Sequence, residues 1–131
     1  MTSEITILGL YGLLLIVTIL LQAVSALSQV GLMPLLQSRD DMPKLPGIAG
    51  RMDRAQLNSA IAMALFAPAV LILTQKGLST GSTVLAAQIF LVARILYVPA
   101  YAFGIAGMRT AAWSAGLFAT VWIYLVGLAW V

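Results

Sequence analysis

The chain has 131 residues, of which 62% are hydrophobic and 8% charged, with a formal net charge of +3. Soluble domains carry about one quarter charged residues, so this composition marks an integral membrane protein, and its length allows one compact helical domain over residues 1–131. The absence of cysteine and histidine excludes a disulfide framework, a zinc or haem ligand set and a Ser/His or Cys/His nucleophile pair; no metal site is expected.

Four hydrophobic segments are predicted in chain order, and together they give an all-α, four-transmembrane-helix bundle. Segment one runs from about Ile5 to Leu36. At 1.5 Å per residue it exceeds the ~30 Å hydrocarbon core, so its end, with Pro34, should project from the membrane. Ala23-Val24-Ser25-Ala26 is faintly cleavage-like. The stretch before it has no basic residue and the apolar run is too long for a signal peptide, so the segment is read as a retained span. Gln37 to Gly50, with Pro43, Pro46 and several charges, reads as a polar loop. Segment two covers about Arg51 to Gln75, with Pro68 expected to kink it. The turn Lys76 to Ser82 leads to segment three, about Thr83 to Ile105, which contains Pro99. Segment four, about Ala111 to Val131, has Trp113 near one end and Trp130 near the other, as interfacial belts require. Small-residue ridges at Ala112, Gly116 and Thr120 and at Ala60 and Ala64 allow close helix approach.

Three of these segments carry polar trios at i, i+3, i+7 spacing: Gln22, Ser25 and Gln29; Arg51, Arg54 and Asn58; Arg94, Tyr97 and Tyr101. The spacing puts each trio on one helix face. Polar groups in hydrocarbon must pair or face a wet cavity, so the stripes either converge on a site for a polar ligand or hydrogen-bond the helices together. Arg94 lies about 16 Å along segment three, near mid-membrane. It needs a partner: a helix-two amide or carbonyl, a neighbouring subunit or an anionic ligand. The carboxylates, Glu4, Asp40, Asp41 and Asp53, are not deep in a helix, which disfavours paired-carboxylate chemistry and proton-coupled export. No basic run is interleaved with aromatics, so nucleic acid is not an expected partner.

Gly50-Arg51-Met52-Asp53-Arg54-Ala55-Gln56-Leu57-Asn58 resembles the R-A-x-x-N signature that opens the second helix of the MAPEG family, the membrane-associated proteins in eicosanoid and glutathione metabolism. Ala93-Arg94-Ile95-Leu96-Tyr97-Val98-Pro99-Ala100-Tyr101, followed by Arg109-Thr110, is similar to that family's A-R-x-x-[HY]-x-x-A-Y helix and trailing Arg-Ser/Thr pair. The resemblance, to bacterial-type members, implies a homotrimer in the bacterial inner membrane, with glutathione bound between subunits on the cytoplasmic side. It implies a glutathione-dependent transferase or peroxidase acting on lipophilic electrophiles. Arg109 and Thr110 are then the candidate catalytic residues, Arg109 stabilising the glutathione thiolate. Arg54 and Asn58 match ligand contacts, and Arg94, Tyr97 and Tyr101 match positions bordering the pocket; Arg51, Gln29 and Trp113 complete the candidate ligand set.

Two positions depart from the family pattern. Ile61 stands where the eicosanoid enzymes have a glutamate, and Gly31 where they have a helix-one arginine. Both changes remove charged grips, so the alternative is a noncatalytic protein of the same fold binding a lipid or another anion.

Orientation follows from the basic residues. Arg39, Lys44, Arg51, Arg54 and Arg109 flank loops one and three, against Lys76 alone in loop two. This asymmetry places loops one and three in the cytoplasm and both termini outside. A Lys44→Cys variant should therefore react with an impermeant thiol reagent from the cytoplasmic side and a Gly77→Cys variant from the outside. The opposite labelling pattern would reverse the topology.

Overall fold

A computed structural model describes residues 3–31 and 47–128. Four helices make up the described chain: α1 (Ser3–Val30), α2 (Gly47–Gln75), α3 (Gly81–Ala102) and α4 (Ala106–Gly127). Each is long and apolar enough to cross a membrane. α2 and α3 occupy the inner diagonal and touch every other helix, whereas α1 and α4 take the outer corners and barely meet. The protein is thus a four-helix membrane bundle.

Its core is an aromatic stack wedged among small residues. Phe66 and Phe90 lie parallel with centroids 3.9 Å apart, and Tyr11 meets Phe90 edge-on at 4.8 Å. Ala69, Ala86, Ala87 and Ala119 pack around them. In lipid there is little hydrophobic force between helices, so close packing and interhelical hydrogen bonds must hold the bundle. The buried Ala112, Gly116 and Thr120 ridge of α4 supplies such packing. Ala60 and Ala64 instead face outward on the isolated chain. Near the α4 terminus, a Cβ on Gly127 would lie 3.0 Å from Ile72 Cγ2, and Lys76 Nζ donates to the Gly127 carbonyl. Tyr124 donates to the Leu65 carbonyl at 2.6 Å, beside the Ala64 carbonyl that Pro68 leaves without its usual partner.

Glycines set several boundaries that differ from those expected. At Gly104 (φ 72°) the Gly104 and Ile105 amides donate back to Tyr101 and Ala100, a Schellman closure that ends α3 at Ala102, before the expected Ile105. α4 consequently starts at Ala106, ahead of the expected Ala111, and Arg109 and Thr110 are its fourth and fifth residues. α3 begins at Gly81 because Thr80 forms a capping box with Thr83. α2 begins at Gly47, earlier than Arg51; Ala49 is fully buried and draws this turn into the packing. The described part of α1 ends at Val30, before Gly31 (φ 80°). Pro34 and most of the expected polar loop lie outside the described residues.

The N-terminus of α1 is fastened by a contact that sequence spacing did not reveal. Glu4 is 1% exposed; its carboxylate accepts from the Thr83 hydroxyl at 2.6 Å and from Ser79 at 3.0 Å. These donors sit at the positive end of α3, where a carboxylate is favoured. Replacing Glu4 with Ala leaves the Ser79 hydroxyl without that acceptor and turns Thr83 back to the Thr80 carbonyl, and should cost about 2 kcal/mol. Thermal unfolding in mild detergent should show a lower midpoint for Glu4→Ala and a smaller drop for Glu4→Gln. An unchanged midpoint for Glu4→Ala would remove the latch from this account.

Candidate functional site

Antiparallel packing of α2 and α3, with α4 returning beside them, gathers three arginines at one end of the bundle. Arg51 Nε donates to the Ala102 carbonyl at 2.7 Å, so this side chain caps the negative end of α3. Arg54 Nε donates to the Tyr101 hydroxyl at 3.1 Å, and its guanidinium lies 5.9 Å from the ring centroid. Arg109 lies over the same ring at 4.8 Å. Tyr97 and Tyr101 are 5.6 Å apart, and Arg94 sits over Tyr97 at 4.1 Å. The result is a ladder of cations and phenol rings running from the helix ends into the span. No carboxylate among the described residues pairs with any of its arginines, so the ladder presents a positive field to an incoming group.

Arg94 is its deepest member and is 2% exposed. Its Nη2 donates to the Ser59 hydroxyl at 3.1 Å, and the adjacent Ser59 carbonyl accepts from Tyr11 at 2.7 Å. The partner anticipated on helix two is therefore a hydroxyl, and not an amide or carbonyl. Arg94 Nε remains without a partner among the described residues, as does the buried Asn58 Oδ1. Both side chains line a cleft of about 110 Å³ whose other walls include Ile61, Leu65, Trp113 and Leu117. Gly116 forms its floor, 3.7 Å from Arg94 Cδ at the position a Cβ would take.

The cleft and the arginine end are successive levels of one surface. Asn58 follows Arg54 by four residues, Trp113 follows Arg109 by four, and Tyr97 stands between Tyr101 and Arg94. Residues three or four apart share a helix face. The site thus grades from cationic to polar to apolar as it enters the span.

Of the candidates read from sequence, Arg54, Asn58, Arg94, Tyr97, Tyr101, Arg109 and Trp113 come together here. Arg51 reaches the same end as a helix cap. Thr110 is exposed, one position around the helix from Arg109, and does not line the cleft. The Gln29 side chain lies outside the described residues. The rest of the first stripe does not converge as expected: Ser25 bonds back to the Leu21 carbonyl at 2.8 Å, and Gln22 is buried with Nε2 unpartnered among the described residues. Sequence reading missed Ser59, Leu65 and Leu117. The one available signal was a hydroxyl at mid-span beside Asn58.

The MAPEG family model matches residues 5–129. No match was found among curated proteins or solved structures. A match over nearly the whole length, on a four-helix membrane bundle, establishes that the chain belongs to the MAPEG family.

Proposed function

We propose that this MAPEG protein is a membrane-bound glutathione-dependent transferase or peroxidase acting on lipophilic electrophiles. The observation that carries the reading is Tyr101 held between two guanidiniums, Arg54 at its hydroxyl and Arg109 over its ring. Neither cation has a carboxylate partner among the described residues, so the pair is available to an anion. Glutathione supplies a thiol nucleophile, which this cysteine-free chain lacks. Arg54, Asn58, Tyr97, Tyr101 and Arg109 would hold it. Arg109 next to a thiol favours the thiolate, the reactive form. The neighbouring cleft, walled by Ile61, Leu65 and Leu117, gives a lipophilic electrophile an apolar seat.

The basic-residue asymmetry supports a site on the cytoplasmic side with both termini outside, and the resemblance to bacterial-type members supports a bacterial inner membrane. The outward Ala60 and Ala64 face and the family both support a homotrimer with the site at a subunit boundary. A second reading, a noncatalytic protein binding a lipid or another anion, draws support from Ile61 in the cleft wall and from Thr110 lying off the site.

Substituting Arg109 separates the readings. If it stabilises a thiolate, Arg109→Leu in lipid-reconstituted protein should lower conjugation of an aryl halide about 100-fold or more. Arg109→Lys should also lose activity, because a point charge replaces a planar fork. Thiolate absorbance on adding glutathione should fall in parallel, while light scattering still gives three chains per particle. Wild-type behaviour of Arg109→Lys would assign the residue to headgroup anchoring. Wild-type protein that neither binds glutathione nor conjugates above the uncatalysed rate would end the enzyme reading.

A further inference from the structure

The face of the bundle between α3 and α4 is grooved. Ala93, Ala112 and Ala115 form the floor, and the exposed Leu85, Ile89 and Trp122 stand as its rims. Two adjoining hollows of about 520 and 430 Å³ share Leu85, Ile89 and Ala115, so the groove continues along the span. Small side chains let the two helices approach closely and leave the larger ones beside them as ridges. Both helices are apolar enough to cross a membrane, so on the single subunit the groove opens on hydrocarbon.

One polar side chain interrupts it. Gln88 lines the larger hollow, is exposed and has no hydrogen-bond partner among the described residues. The 22 residues of α3 span about 33 Å, matching the ~30 Å hydrocarbon core, and Gln88 lies about 10 Å in from Gly81. From that depth a glutamine is too short to reach the polar boundary as a lysine or arginine stem does. Hydroxyls elsewhere in the spans close onto carbonyls of their own helix, as Thr18 does on Leu14 and Thr120 on Gly116. An amide in hydrocarbon without a partner is costly, and polar residues at such depth ordinarily face the bundle interior. Gln88 lies on the outside, so its partner must come from beyond the subunit.

That partner is a second subunit or a lipid. Membrane helices associate through small residues, and here the small residues are sunk between larger rims. The outward small-residue face is on α2, at Ala60 and Ala64. α2 and α3 stand at the two ends of the inner diagonal, so a trimer formed through α2 leaves the α3–α4 groove to lipid. The occupant is then an acyl chain, and the amide favours one with a hydrogen-bonding group at its own depth. A hydroxyl both donates and accepts, and so serves either half of the amide. On an 18-carbon chain filling one ~15 Å leaflet, a depth of about 10 Å falls near carbon 12.

We infer that the α3–α4 groove is a lipid site selective for an acyl chain hydroxylated near mid-chain, with Gln88 hydrogen-bonded to the hydroxyl. The inference is independent of the glutathione reading and takes from the proposed function only the α2 face of the trimer.

Trp122, in the groove wall, reports occupancy. The full chain with Trp113→Phe and Trp130→Phe is reconstituted in nanodiscs of phosphatidylcholine bearing 9,10-dibromo-octadecanoyl chains, whose bromines should quench Trp122 fluorescence. Added 12-hydroxyoctadecanoic acid should relieve the quenching at about fivefold lower concentration than octadecanoic acid, the ratio that one hydrogen bond in a membrane supports. A second arm uses phosphatidylcholine carrying the same two chains, and distinguishes a bound phospholipid from a free fatty acid. Gln88→Leu, which removes the amide from an exposed position, should make the two chains equal while quenching persists. If the doubly substituted chain does not assemble, the difference between the natural chain and Trp122→Phe carries the same signal.

A preference for the hydroxylated chain in either arm that Gln88→Leu abolishes upholds the site and names its source. Equal potency of the two chains in both arms, or a preference that survives Gln88→Leu, would overturn it. Trp122 left unquenched by the brominated lipid would overturn it as well, because the groove would then be covered by protein.

Discussion

A guanidinium buried within a membrane span is the constraint around which the rest of this bundle is arranged. Placing Arg94 there costs about 2.5–3.5 kcal/mol on insertion scales. The hydrogen bond to Ser59 and the face of Tyr97 return a comparable amount, about 1.5–3 kcal/mol for a charged hydrogen bond and ~2 for a desolvated cation–π contact. The first contact ties α3 to α2, and the second lies within α3, between residues three apart. They leave Nε buried without a partner beside a cleft that contains no counter-charge among the described residues. The fold therefore satisfies its buried cation as far as assembly requires and leaves a remainder that a ligand can meet.

The two ends of the bundle solve the same problem with opposite signs. At one, a single carboxylate is closed in by Ser79 and Thr83 at the start of α3. At the other, Arg51 caps the end of α3, but Arg54 and Arg109 are directed at an aromatic ring and stay free of acids among the described residues. The α3 helix thus has its positive end against Glu4 and its negative end against Arg51, the arrangement its dipole favours. Among the described residues, Arg54 and Arg109, which meet neither a carboxylate nor a backbone carbonyl, both lie at the arginine end. That asymmetry locates the site as strongly as the cleft does.

Much of this was legible in the sequence because a membrane tolerates so few polar residues that each one is informative. The four spans, the face shared by Arg51, Arg54 and Asn58, and the face shared by Arg94, Tyr97 and Tyr101 follow from hydropathy and helical spacing. Other features depend on backbone events that periodicity does not register. The closure at Gly104 sets where α3 stops and moved Arg109 from an expected connection into a helix, whereas α2 stops at Gln75, where the sequence placed its end. Ser25 showed the expected spacing, yet its hydroxyl is satisfied by its own helix. Glu4 was passed over because it sits in the first turn, and only the tertiary approach of Ser79 and Thr83 makes it buried. The outward position of Ala60 and Ala64 could not be read from their spacing, since a ridge of small residues looks the same inside a subunit and between subunits.

The central claim is that Arg94 is both the structural cation of the bundle and the deepest ligand contact. Its Nε–H can be observed directly in protein labelled with nitrogen-15 arginine and reconstituted in nanodiscs, with the resonance assigned by its loss in Arg94→Lys. On titration with glutathione, the Arg94 Nε–H resonance should shift along with those of Arg54 and Arg109 as the open donor gains an acceptor. Movement of Arg54 and Arg109 with Arg94 unmoved would contradict the claim, confining Arg94 to holding α2 and α3 together.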